Sequence, residues 1–216
     1  MKPLGKVKIE WSPKFAYAIG LLATDGCLSP DGRHLDFTSN DHEQLQNFMN
    51  CLGIQNKIGR KLSEFTGRYG SHIQFGDVNF YKFLLSIGLT PKKSKTIGVV
   101  KIPKKYFFDF LRGHLDGDGT FYSYWDKRWK SSFMFYTEFI SASKKHIYWL
   151  RGEIDDLLHI KGHVTKSKNN VCYQLKYAKK DSLKLLNKVY YDKDIVCLSR
   201  KYLKIKRVLG TIGVTI

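Results

Sequence analysis

Residues 15–26, FAYAIGLLATDG, and residues 108–119, FDFLRGHLDGDG, can be laid over one another without a gap. Phe15 falls on Phe108, Gly20 on Gly113, Leu22 on Leu115, and Asp25-Gly26 on Asp118-Gly119. Each stretch is apolar and ends in Asp-Gly, the mark of a helix that stops where a residue without a side chain lets the backbone turn into a strand. One Asp-Gly would be read as an ordinary turn. Two in matched contexts are not ordinary.

The segments downstream of the two copies are also alike. After the first come strand-like alternation from Arg33 to Ser39 and a helical pattern from Asp41 to Leu52. Two short strands near Lys57 to Phe65 and Ser71 to Gly76 come next, then a helix from Val78 to Ile87. After the second come strands at Thr120 to Asp126 and Ser132 to Ser141, a helix from Lys144 to Leu158, strands near Gly162 to Ser167 and Val171 to Tyr177, and a helix from Lys180 to Val189. The order is helix, two strands, helix, two strands, helix in both halves. A repeat this long, occurring twice, implies a duplicated domain and not a solenoid. The basic stretch from Thr90 to Lys105, with Pro91 and Pro103, reads as a linker, giving an N-terminal half over 1–93, a connection over 94–105 and a C-terminal half over 106–216.

The chain has 216 residues, 43% hydrophobic and 14% aromatic, enough for a packed core. Lys and Arg number 37 against 19 Asp and Glu, a formal charge of +18 with a pI near 9.7, which points to a polyanionic partner. Cys27, Cys51, Cys172 and Cys197 are scattered without a C-x-x-C pair, so neither a zinc ribbon nor a disulfide framework is indicated. No apolar stretch is long enough to span a membrane, and the first residues lack a signal-peptide core. A soluble protein of a reducing cell interior is expected.

The strands divide by face. Ile73 and Phe75 alternate with His72 and Gln74, and Val171, Tyr173 and Leu175 with Cys172, Gln174 and Lys176. One side would pack on helices. The other, polar and basic, would be free to lie on nucleic acid.

Residues 18–26, AIGLLATDG, and 111–119, LRGHLDGDG, resemble the nine-residue motif of the LAGLIDADG homing endonuclease family. Both keep the third-position glycine (Gly20, Gly113), the eighth-position acid (Asp25, Asp118) and the final glycine (Gly26, Gly119). The resemblance extends through the matching order of elements over nearly the whole chain. It implies an α+β fold of duplicated αββαββα halves, with two antiparallel four-stranded sheets forming a DNA-binding saddle and helices on the other face. Glycines on facing helices would allow close approach. The interface would hold Ala16, Gly20 and Ala23 from the first helix, and Gly113 and Asp116 from the second.

The implied activity is site-specific cleavage of double-stranded DNA, one phosphodiester per strand, leaving 3′ overhangs. Asp25 and Asp118 would hold the metal with the carbonyls of Thr24 and Gly117, and Lys93 and Lys201 would assist the attacking water or offset phosphate charge. Two carboxylates brought together repel unless a cation lies between them, and magnesium suits an oxygen set with few protein ligands. Mn2+ would substitute, while Ca2+ would support binding without cleavage. Ser39 or Asn40, with Ser143 in the second half, falls at another central position of the family. DNA reading would fall to Cys27, Ser29, His34, Asp36, Thr38, Lys57, Lys61, His72 and Gln74 in the first half. In the second it would fall to Thr120, Tyr122, Tyr124, Tyr136, Lys166, Gln174 and Lys176, although the three tyrosines fit a core equally well. The partner would be a long, nearly asymmetric duplex bound by a monomer. Two alternatives stay open on sequence: an RNA-binding intron maturase of the same fold, and a DNA-binding protein that has lost catalysis.

Overall fold

The computed structural model describes residues 5–62, 67–129, 132–167 and 172–216. Helix α1, Pro13–Thr24, begins where the Ser12 side chain accepts the Phe15 N–H at 3.1 Å, with Pro13 at a position where a missing N–H costs nothing. Phe15 to Ala23 are all buried, so this helix is apolar on every side and runs through the interior. It is followed by β1 (Gly26–Leu28), β2 (His34–Ser39), α2 (His42–Leu52), β3 (Gly59–Leu62), β4 (Tyr69–Gly76) and α3 (Val78–Ser86). Single turns of 3-10 helix at Lys93–Lys95 and Lys104–Tyr106 lie between the halves. The second half repeats the order with α4 (Phe107–Gly117), β5 (Thr120–Trp125), β6 (Phe133–Ser141), α5 (Lys144–Leu158), β7 (His163–Lys166), β8 (Tyr173–Ala178) and α6 (Lys179–Val189). A last helix, α7 (Ser199–Gly210), completes it.

The strands form two four-stranded antiparallel sheets of identical order, β1-β2-β4-β3 and β5-β6-β8-β7. The α+β architecture expected from the doubled motif is the one the chain adopts. In the first sheet Leu28, Leu35, Phe37, Ile73 and Phe75 share the buried side. Phe37 stacks there on Phe48 of α2 with ring centroids 4.3 Å apart. In the second, Phe121, Phe135, Phe139, Leu175 and Tyr177 do the same. Among the described residues no helix is long and apolar enough to cross a membrane.

Three sequence expectations change. The strand placed at Lys57 to Phe65 is shorter, Gly59–Leu62, and Phe65 lies outside the described residues, as does Val171, from which the last strand was to start. Strand β1 has three residues, too few for alternation to register. Helix α7, SRKYLKIKRVLG, is unanticipated because it follows the repeated elements, and the first half has only a single turn at Lys93–Lys95 in the corresponding place; Ile205 and Leu209 are its buried residues.

Candidate active site

The two motif helices touch backbone to backbone. A Cβ on Gly20 would lie 2.1 Å from the Phe110 carbonyl oxygen and 2.8 Å from the His114 nitrogen, and one on Gly113 would lie 2.1 Å from the Tyr17 carbonyl oxygen. No side chain fits at either place. Ala16 and Ala23 are buried on the same helix. Where α1 is small, α4 is acidic: Asp116 accepts the Tyr17 hydroxyl at 2.8 Å and the Leu198 N–H at 2.7 Å. Asp109 accepts from Arg112 at 2.7 Å and from the Tyr191 hydroxyl at 2.9 Å. Arg112, 1% exposed, also donates to the Val196 and Val189 carbonyls, so this buried charge is paired and ties the approach to α7 onto α4.

Because the helices cross at their glycines, their C-terminal ends arrive together. A Cβ on Gly117 would lie 2.0 Å from the Thr24 hydroxyl oxygen and 2.9 Å from Asp25 Oδ2. Asp25 and Asp118 cap the two helices at this point. Burial, and then the charge of Asp118, push the Asp25 carboxyl up to about 6, against a hydrogen bond from Gln44 and the charges of Lys201 and Lys93. Burial raises Asp118 as well, opposed by the same two lysines. Two adjacent carboxylates short of positive charge are a site that favours a cation.

Each helix end is met by one lysine. Lys93 Nζ donates to the Gly26 carbonyl at 2.5 Å and the Thr24 carbonyl at 3.4 Å. Lys201 Nζ donates to the carbonyls of Leu115, Asp116, Gly117 and Gly119 at 2.7, 2.8, 3.2 and 2.7 Å. Those of Thr24, Leu115, Asp116 and Gly117 are carbonyls that a helix leaves without intrahelical partners, at the negative end of its dipole, while Gly26 and Gly119 lie just past the helix ends. Lys93 is delivered by a backbone with Lys92 at φ 54°, a left-handed conformation rare for a side chain of this size. Lys201 projects from the first turn of α7, not from a segment beyond the last helix. Burial lowers the Lys93 ammonium, and brings that of Lys201 down to about 8. The carbonyls of Thr24 and Gly117 thus already accept from ammonium groups, though each carbonyl oxygen has a second lone pair. Among the described residues no three His, Cys, Asp or Glu side chains converge as metal ligands. The protein's share of a metal shell would be two carboxylates and carbonyl oxygens, a hard and incomplete set of the kind magnesium fills out with water and phosphate.

Sequence reasoning passed over Gln44. It is 4% exposed in the first turn of α2, where its Nε2 donates to Asp25 Oδ2 at 3.2 Å and to the Asp116 carbonyl at 3.5 Å, while its Oε1 accepts from Ser39 at 2.7 Å. Nothing in the sequence marks this residue, because the contact depends on how α2 docks across the motif ends. Of the two serines assigned to the centre, Ser39 reaches it only through Gln44, and Ser143 does other work. Ser39 falls on the helix-facing side of its strand, in register with Ser71, and Ser143 is a buried N-cap of α5 that also donates to the Ile97 carbonyl at 2.5 Å. Asn40 is exposed just beyond β2.

The cross-strand register sorts the remaining candidates. Cys27, His34, Asp36, Thr38, Lys61, His72 and Gln74 share the outward side of the first sheet. Ser29 lies just past β1, and Lys57 is exposed before β3. Thr120, Tyr122, Tyr124, Tyr136, Gln174 and Lys176 share the outward side of the second. The tyrosines are therefore not core. Tyr136 stacks between Tyr122 and Tyr124 with centroids 5.3 and 6.2 Å away. The expectation for Lys166 is corrected: it pairs with Tyr173 on the helix-facing side, one residue out of phase with the groove, while His163 and Thr165 take the outward positions. Two acids lie at equivalent places in the central strands. Asp36 accepts from Lys61 at 3.2 Å and pairs with His72 at 2.9 Å, and Glu138 lies 3.5 Å from Lys176.

No protein-family model matches the sequence, and no curated protein matches it. Solved structures do match in shape. Full-length DUF199/WhiA from Thermatoga maritima superposes with a TM-score of 0.58 at 15% identity over 97% of this chain, which spans 64% of that longer one. The I-LtrWI LAGLIDADG homing endonuclease bound to target DNA gives 0.61 at 11% identity, over 93% of this chain and 91% of that one. The meganuclease I-SmaMI bound to uncleaveable DNA gives 0.61 at 12%, over 97% and 92%. Like these neighbours in shape, the chain has the LAGLIDADG homing-endonuclease fold, its own two sheets of identical strand order and both motifs lying in one polypeptide.

Proposed function

We propose that this protein is a metal-dependent endonuclease that cuts both strands of a long, nearly asymmetric DNA duplex as a monomer, leaving short 3′ overhangs. The observation that carries the proposal is the meeting of Asp25 and Asp118 at one point, flanked by the buried Lys93 and the half-buried Lys201, between two sheets whose outward sides bear the polar candidates. Neighbours of the same fold that are bound to DNA support a duplex partner. The charge of +18 supports it independently.

Asp25 and Asp118 would hold Mg2+, with Mn2+ able to replace it and Ca2+ supporting binding alone; the carbonyls of Thr24 and Gly117 are the nearest further oxygens. When bound, the ion polarises the phosphate and acidifies an attacking water. Lys93 and Lys201 offset charge that grows on the phosphate oxygens, and the Lys201 amine, near 8, can hold or release a proton at Nζ. The water oxygen bonds to phosphorus as the bond to the 3′ oxygen breaks, and that oxygen takes up a proton. Products are a 3′ hydroxyl and a 5′ phosphate.

A randomised duplex library incubated with the protein and Mg2+ should yield cleaved molecules sharing one sequence. Asp25→Asn and Asp118→Asn should bind that sequence without cutting it. Full cleavage by both variants would remove the assignment, and binding without cleavage by the wild type in Mg2+ and Mn2+ would leave a DNA-binding protein only.

A further inference from the structure

The two halves are related by the repeat, yet the carboxylates at their centre are held differently. Asp41 caps α2 and Ser143 caps α5, so Gln44 and His146 occupy the same third position of equivalent helices. Gln44 reaches inward and donates to Asp25. His146 does not reach Asp118. Its Nδ1 is 2.8 Å from the Gly98 carbonyl and its ring stacks on His114, centroids 5.2 Å apart, inside the core of the second half. His114 in turn stands where the first motif has Leu21. Burial and the charges of Lys93 and Lys201 act on Asp118, without the side-chain hydrogen bond that Asp25 receives. Lys201 grips four carbonyls at the end of α4, and Lys93 only two at the end of α1.

We infer that Gln44 is a positioning residue that fixes Asp25 in one orientation, making the halves unequal, so that the phosphodiester served by the Asp25 side is cut first and the duplex passes through a nicked intermediate. Gln44 is itself fixed: it is buried, its oxygen is occupied by Ser39, and its nitrogen is shared between Asp25 and the Asp116 carbonyl of the opposite motif. A carboxylate whose orientation is set before the ion arrives loses less freedom on binding it. Asp118 must be oriented by the ion and the DNA. This inference rests on the nuclease reading, but the inequality of the two carboxylates does not.

The test compares wild type with Gln44→Met, which keeps the volume and removes the donor, and with Gln44→Glu, which keeps an acceptor for Ser39 and places a second charge against Asp25. Gln46→Met, on the exposed side of the same helix, is the control. Single-turnover cleavage of a duplex labelled separately on each strand should show one strand cut several-fold faster in the wild type, from the worth of a hydrogen bond to a charged group. Gln44→Met should slow that strand about tenfold and leave the other within about twofold. A purely structural defect would slow both strands alike. Binding of Mn2+ to the free protein, followed by the electron paramagnetic resonance of the unbound ion, should weaken in Gln44→Met, tighten in Gln44→Glu, where a third carboxylate favours a cation, and stay unchanged in Gln46→Met. Cleavage of both strands in step by the wild type, or equal slowing of both in Gln44→Met, overturns the inference and leaves the nuclease reading intact. Loss of Mn2+ affinity in Gln44→Met of a protein that cuts neither strand overturns the nuclease reading and keeps the inequality. Unchanged Mn2+ affinity in both Gln44 variants overturns Gln44 as the residue that orients Asp25.

Discussion

Replacing Gly20 by Ala tests the helix crossing on which the site depends. The added Cβ would lie 2.1 Å from the Phe110 carbonyl oxygen, whereas ordinary contact begins near 3.4 Å, so α1 and α4 must part by about 1.3 Å or bend. The obstacle is backbone, which no rotamer change relieves. Overpacking of this kind costs about 1–3 kcal/mol, and the upper part of that range applies because a gap of this width forfeits up to half the dispersion energy along the crossing. Against this, Ala gains up to about 1 kcal/mol over Gly in a helix. A net loss of about 2 kcal/mol is expected. Gly152 supplies the internal control: it lies in α5 with nothing within 4 Å of its would-be Cβ, so Gly152→Ala should stabilise by about 0.5–1 kcal/mol. Urea denaturation of the two variants should therefore separate them by about 3 kcal/mol, at unchanged dependence on urea. Gly20→Ala as stable as wild type would refute the backbone contact, and with it the reason Asp25 and Asp118 meet.

Asp116 is raised to about 6 by burial, from 3.8. Between pH 4 and 6 the folded protein keeps a proton that the unfolded chain has released, so the ionised group opposes folding above pH 6 and the penalty disappears as pH falls. Asp116→Asn should consequently be about 1–3 kcal/mol more stable than wild type at pH 8 and show no gain at pH 4, read by urea titrations at both. Cleavage should rise with pH as Asp25 ionises near 6, a limb that bound metal draws lower, and fall above about 8 as the Lys201 ammonium is lost. In Lys201→Met the alkaline limb should vanish from the pH–rate profile along with most of the rate; an alkaline limb that persists would assign it elsewhere. Affinity for the selected duplex should drop by about a thousandfold or more between roughly 50 and 200 mM salt in a filter-binding assay, and a salt-insensitive complex would contradict the phosphate-facing surface.

Much of this molecule was legible before folding because the repeat carries its information twice. A glycine five residues before an Asp-Gly, seen once, is a commonplace. Seen at Gly20 and Gly113 with matching strands behind each, it specifies two helices that cross and two sheets that flank them. The lysines were legible for a related reason: Lys93 and Lys201 occupy equivalent contexts after each half, even though Lys201 stands on a helix with no full counterpart in the first half. Alternation then placed Gln74, Thr120 and Gln174 on one side of their strands. It failed where phase was lost at a strand end, and Lys166 lies on the opposite side from the one assigned.

Sequence by itself determined the duplication, the α+β class, the two acidic helix ends and the cationic character of the surface, since each arises from local pattern or from a sum over residues. Only the tertiary structure decided what touches the carboxylates. Gln44 meets Asp25 across 19 positions, Tyr17 meets Asp116 across 99, and Lys201 caps α4 from 82 to 86 positions away. Such contacts are fixed by how helices dock, and a chain whose halves share one pattern gives no sign that one half uses a glutamine to hold its acid while the other turns its histidine into the core.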